Sequence, residues 1–278
     1  MTENVVNNGE VNGPSDGVAQ GLFVESSVQE GPLGARRALN DGRVYRYAEF
    51  TAVAVAAGVL IAPDDSSQTA GEMAATAVRN SAGAATDIAA SDTVTRLYFL
   101  DTDILTAANS DDVFAGGYLH HINSATGGYT YRIRSNGYVA STSVMTVDMY
   151  DSILENMDSQ DEVAISGSPY QNVTIYNNAT DDNISGLTVL NVTASYYAWV
   201  QTWGVGTVLA DESTGTITKG TIAQGSNGVN GAAQLLGGDT IDSEDDILLE
   251  IAAQPIVGRF MGPVTDANYG PIYLTIAP

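Results

Sequence analysis

Short runs of alternating apolar and polar residues, punctuated by Gly, Asn and Asp, recur along the whole chain. A period of two marks a strand with one buried face, because successive side chains point to opposite sides. The clearest case is 112–137, DVFAGGYLHHINSATGGYTYRIRSNG. It predicts a β-hairpin with Phe114 to Ile122 as first arm, residues 124–128 as turn, and Tyr129 to Arg134 as second arm. In the second arm Tyr129, Tyr131 and Ile133 share one face, while Thr130, Arg132 and Arg134 share the other. The paired glycines of the turn permit the tight reversal.

The same reading predicts strands within 31–62, where an Asn40-Asp41-Gly42 turn precedes RVYRYAEFTAVAVAAGVLIA and Pro63 ends the run. Further strands are expected at 93–105, 139–151, 163–165, 173–176 and 187–192. Beyond these lie 196–203, 216–223, 247–251, 256–261 and 272–276. Residues 64–92 read mostly as loop, although 72–79 could form two helical turns. Met149, Ile153 and Met157 also have helical spacing, but the β context favours a strand and one loose turn. Val55 to Leu60 and Ile217 to Ile222 share the pattern apolar-x-x-Gly-x-apolar, which places a glycine at a corner or bulge. Two related β-units or two independent hairpins both fit that echo.

These patterns predict an all-β fold of β-sandwich or β-barrel domains with an extended N-terminal arm. The arm covers 1–30, a β-rich main domain 31–193, and a small β-barrel-like C-terminal domain 194–278. The arm is polar, with Leu22-Phe23-Val24 its one apolar island, so alone it would be disordered. It is expected to lie against a neighbouring subunit.

Charge narrows the functional classes. With 33 acidic and 10 basic residues in 278, the net charge is −23, and Lys219 is the only lysine. Such a chain is repelled by phosphate backbones and by anionic membrane surfaces, so neither nucleic acid nor membrane is an expected partner. Cysteine is absent, which excludes disulfides and thiolate zinc sites. The N-terminus lacks the basic and apolar stretches of a signal peptide, and the apolar run 52–62 is too short to span a bilayer. A soluble, non-secretory chain is expected.

His120 and His121 are adjacent in a strand and point to opposite faces, so they cannot share a metal without distortion. No nucleophile elbow, Walker loop, dinucleotide fingerprint or zinc motif is present. Acid clusters occur at 64–65, 101–103, 111–112, 181–182 and 242–246. A cation on a loop or a solvated acidic surface would each explain them. A paired-carboxylate glycosidase would need two acids, for instance among those of 242–246, at fixed separation in an aromatic cleft, for which Trp199 and Trp203 are the available residues. Four Asn-x-Ser/Thr strings begin at Asn172, Asn178, Asn183 and Asn191. No catalytic residue, cofactor or metal ligand is expected.

The arginines are unevenly placed. Arg36, Arg37, Arg43 and Arg46 fall within eleven residues, and Arg132 and Arg134 share one arm of the hairpin. Arginine pairs well with carboxylates at interfaces, so these six are candidate contacts with acidic faces of other copies. Intramolecular salt bridges are the equally weighted alternative.

Four strings carry a resemblance: PLGARRALNDGRVYRYAEFTAVAVAAGVLIA, FAGGYLHHINSATGGYTYRIRSN, SPYQNVTIY and SYYAWVQTWGVGTVLADE. In this order, with PIVGRFMGPVTDANYGPIYLTI near the end, they resemble tailed-bacteriophage virion proteins of the capsid decoration (cement) type, common in marine phages. The resemblance runs from about Pro32 to the C-terminus and covers neither the arm nor 225–246. It implies a non-enzymatic protein on the outer surface of the capsid, commonly a homotrimer, bridging subunits of the major capsid protein. Two rivals remain. One is a head- or tail-fibre protein that binds host glycan through Tyr196, Tyr197, Trp199 and Trp203; the other is a carbohydrate-active enzyme.

Overall fold

The computed structural model describes residues 18–64, 76–77, 81–82, 84, 87–91, 93–100, 112–122, 127–139, 143–157, 162–177, 183–211, 216–236 and 254–278. Among these residues all regular structure is β, as the alternation predicts. The first strands are β1 (Arg36–Ala38), β2 (Val44–Glu49), β3 (Leu60–Pro63), β4 (Thr76–Ala77), β5 (Arg96–Leu100) and β6 (Tyr118–His121). Then come β7 (Tyr129–Val139), β8 (Val144–Met149), β9 (Glu162–Ser166), β10 (Val173–Ile175), β11 (Gly186–Thr188) and β12 (Tyr197–Leu209). The last six are β13 (Thr216–Ile217), β14 (Ile222–Gly225), β15 (Ala233–Leu235), β16 (Ile256–Phe260), β17 (Val264–Thr265) and β18 (Tyr269–Thr275).

The chain forms two compact units. One comprises Met1–Asp64 with Tyr170–Pro278, and the other is Asp65–Pro169. The division therefore differs from the expected boundary at Ala194. Long-range pairing is the reason: β12 begins beyond that boundary but pairs with β2 over Tyr197–Trp203 and with β18 over Trp203–Leu209. The second unit is an insertion between β3 and β10, which pair antiparallel.

In the first unit a ten-stranded sheet runs β10-β3-β11-β12-β18-β16-β14-β15, with β2 also on β12 and β1 on β2. Isolated bridges curl it twice. Phe50, just after β2, meets Val173 of β10, and Ala210, just after β12, meets Ala233 of β15. Each curl wraps a core, one around Phe50, Ile61, Val173 and Val200, the other around Val208, Val257, Phe260 and Ile272. The long strand β12 serves both. It breaks register between Gln201 and Trp203, next to Gly204 at φ 86°. A β-carbon there would sit 3.0 Å from the Arg43 backbone, so the bend needs glycine.

The inserted unit is a six-stranded sheet, β4-β9-β6-β7-β8-β5. The expected hairpin is present: Tyr118 lies opposite Arg132 and His121 opposite Tyr129. Its first arm is shorter than expected, because 112–116 forms turns rather than strand. Tyr131 and Ile133 are buried with Leu97, Phe99, Leu119, Met145 and Ile165. Ile153 and Met157 close that core from irregular chain, not from a helix. The Asn40-Asp41-Gly42 turn links β1 to β2 as predicted, with Ala38 opposite Val44. Gly58 and Gly220, the glycines of the internal echo, both have positive φ and both stand two residues before a strand. The expected strand at 247–251, most of the 72–79 segment and the first seventeen arm residues lie outside the described residues.

Candidate functional site

Segment 18–30 crosses the first unit as an irregular extra edge. Ser26 and Tyr197 exchange backbone hydrogen bonds of 3.0 and 2.8 Å. The Glu25 carboxylate accepts from the backbone N–H and the hydroxyl of Thr193, at 2.6 and 2.7 Å. The Gln20 amide donates to the Tyr197 carbonyl at 2.9 Å, and its oxygen accepts from the Tyr47 hydroxyl at 2.7 Å. Contacts within the chain thus hold 18–30, where the composition had suggested a neighbouring subunit.

Arg37 is the centre of this anchor. It is 6% exposed and donates to the carbonyls of Gln20 at 2.9 Å and Val18 at 2.7 Å. Its guanidinium lies 4.2 Å from the centroid of the Trp199 ring. A planar cation can be buried here because each terminal nitrogen donates to a carbonyl and an aromatic face supports it. The other side of the segment faces out, with Phe23, Val24 and Val28 at 62%, 57% and 63% exposure.

The six arginines do not form one surface. Arg37 is buried, so it is corrected from an interface candidate to an internal anchor. Arg36 is exposed opposite Arg46 on β1 and β2. Arg43 pairs with Asp41 at 2.7 Å. Arg46 donates to the carbonyls of Gly34 at 3.3 Å and Pro278 at 3.0 Å. Arg132 and Arg134 belong to the inserted unit, where Arg132 covers the Tyr150 ring at 5.3 Å and Arg134 approaches Asp148 at 4.0 Å.

The histidines point to opposite faces of β6, as strand geometry requires. His120 reaches the hydroxyls of Thr130 at 3.2 Å and Ser166 at 2.9 Å, and His121 is buried. Among the described residues no cluster of three His, Cys, Asp or Glu is placed to hold a metal. The acid clusters at 101–103, 181–182 and 242–246 lie outside those residues, as do Asp65 and Asp111.

Two carboxylates titrate in opposite directions. Arg96 donates to Asp148 at 2.7 and 2.8 Å, and these hydrogen bonds hold the Asp148 carboxyl below the usual carboxylate range. Burial pushes the Glu49 carboxyl up, despite a 3.1 Å hydrogen bond from Tyr197. Burial, followed by the charge of Glu49, pushes the Tyr197 hydroxyl up to about 12.

The four aromatic residues expected to bind glycan do not make an open platform. Trp199 is 1% exposed and donates to the Gln20 carbonyl at 3.0 Å. Tyr197 stacks on Tyr47, and Trp203 meets Tyr273 edge-on. A different feature escaped the sequence reading: a pocket of about 550 Å³ in the first unit, walled by Gly58, Asn191, Gln201, Val205, Thr207 and Tyr269. The sequence echo marked Gly58 as a corner but gave no sign of the distant ring that packs on it.

No protein-family model, curated protein or solved structure matches the chain.

Proposed function

We propose that the chain is a non-enzymatic capsid decoration protein of a tailed bacteriophage, bound as a homotrimer to the major capsid protein on the outer surface of the head. The N-terminal segment is the observation that carries this reading. Its polar groups are tied into the first unit, while Phe23, Val24 and Val28 are left in water. Exposed apolar area costs about 25 cal/mol per Å², which is recovered when a partner covers it. The ordered strings from Pro32 onward support the same reading. So does the charge of −23, which favours solubility before assembly and disfavours binding to packaged DNA.

Purified virions test the proposal. The protein should be present in many copies, and a reconstruction should place it at threefold or local threefold positions outside the shell. A Phe23→Asp/Val28→Asp double variant with unchanged circular dichroism should fail to co-sediment with capsids. Virions that lack the protein, or carry it only at the tail tip, would refute the assignment.

A further inference from the structure

We infer that the pocket at Tyr269 and Asn191 is a binding site for a neutral saccharide, independent of where the protein sits on a particle. Its volume of about 550 Å³ lies within the range of about 300–1,000 Å³ that small-ligand sites occupy. The 56–58 turn that forms one wall is fixed on every side. Gly58 donates to the Thr188 carbonyl at 2.8 Å and accepts from the Leu209 N–H at 2.7 Å. The Thr188 hydroxyl donates to the Ala56 carbonyl at 2.7 Å, and the Asn191 oxygen accepts from the Ala57 N–H at 2.9 Å. This wall needs no ordering when a ligand arrives, which removes a cost of binding.

The turn also seats the aromatic wall. A β-carbon on Gly58, at φ 77°, would stand 2.7 Å from the Tyr269 ring. The ring therefore lies directly against the glycine, yet Tyr269 remains 52% exposed. An aromatic side chain with one side backed by protein and the other open offers an apolar surface to the C–H face of a sugar ring.

The polar groups are neutral and convergent. Gln201, only 2% exposed, gives its amide hydrogens to the carbonyls of Trp203 at 3.0 Å and Val205 at 2.9 Å. Its oxygen lies beside Gly206 on the pocket lining and accepts no hydrogen bond among the described residues. Asn191 uses its oxygen on Ala57 and keeps two amide donors for a ligand. The Thr207 side chain is exposed at the same wall. Among the described residues no carboxylate lines the pocket, and the one cation there, Arg43, is neutralised by Asp41. An oxygen acceptor, amide donors and an aromatic face fit vicinal hydroxyls on an apolar ring; nothing there compensates a phosphate.

The full-length protein on an array of neutral bacterial surface oligosaccharides tests this. At least one should bind, and binding should fall at least tenfold in Tyr269→Ala. Asn191→Asp retains the acceptor for Ala57 but loses the amide donors, so it should also weaken binding at least tenfold without lowering thermal stability. Tyr273→Ala, an exposed aromatic outside the pocket, should bind as the unaltered protein does. Failure to bind any neutral glycan would overturn the inference. So would binding that survives both pocket variants, or equally tight binding of adenine, a flat ring that carries no sugar.

Discussion

Arg37 and Trp199 meet on a single carbonyl. The guanidinium of one and the indole N–H of the other both donate to the Gln20 oxygen, at 2.9 and 3.0 Å, while the cation rests on the indole face. The N-terminal segment is therefore bound to the sheet by two residues of β1 and β12, far apart in sequence.

Arg37→Met should loosen that segment. Removing charged hydrogen bonds of this kind costs about 1.5–3 kcal/mol each at most, and the orphaned carbonyls regain water as 18–24 detaches. Hydrogen exchange should accelerate in 18–24 and stay unchanged in the inserted unit. Uniform acceleration across both units would contradict this.

Trp199→Ala should act on stability rather than on recognition. Truncating a fully buried tryptophan costs about 3–5 kcal/mol. The expected result is a large fall in the urea midpoint, with saccharide binding intact wherever the protein is still folded.

Asp148 should govern the acid limit of the inserted unit. Its folded-state pKa is lowered by Arg96, so the stabilisation is present above the unfolded value of about 3.9 and is lost as pH falls through the lowered one. Asp148→Asn should reduce the melting temperature at pH 7. As pH falls through the lowered value, the gap between variant and parent should close.

Glu49 carries the opposite sign. Burial raises its folded-state pKa, so its contribution favours folding below the unfolded value and is lost as pH rises through the raised one. Glu49→Gln keeps an acceptor for Tyr197 and should raise the melting temperature at pH 7 but not at pH 4. A variant less stable at pH 7 yet unchanged at pH 4 would show that the charge itself is needed.

The strands were legible because each carries its own period of two and its own turn residues. Tyr129, Tyr131 and Ile133 announce a buried face without reference to anything distant. Gly42 and the paired glycines before Tyr129 mark reversals equally locally. The division into units was not legible, since it depends on β3 pairing with β10 across the whole insertion. Arg37 misled for the same reason: nothing in its neighbours Arg36 and Ala38 marks it as buried, and its burial is decided by the distant Trp199. The pocket draws its walls from residues as far apart as Gly58 and Tyr269, and composition marks none of them as partners.

The junction of the insertion has a consequence for the history of the chain. Pro63 lies opposite Val173, and the Asp64 N–H donates to the Asn172 carbonyl at 3.0 Å, so the path leaves and rejoins the sheet at adjacent rungs of one ladder. To the host sheet, everything between is equivalent to the loop of a hairpin. A gene encoding this protein can therefore lose, acquire or exchange that whole segment by recombination at two nearby rungs. The strand order of the remaining sheet, the seat of the N-terminal segment and the walls of the pocket would all be inherited unchanged.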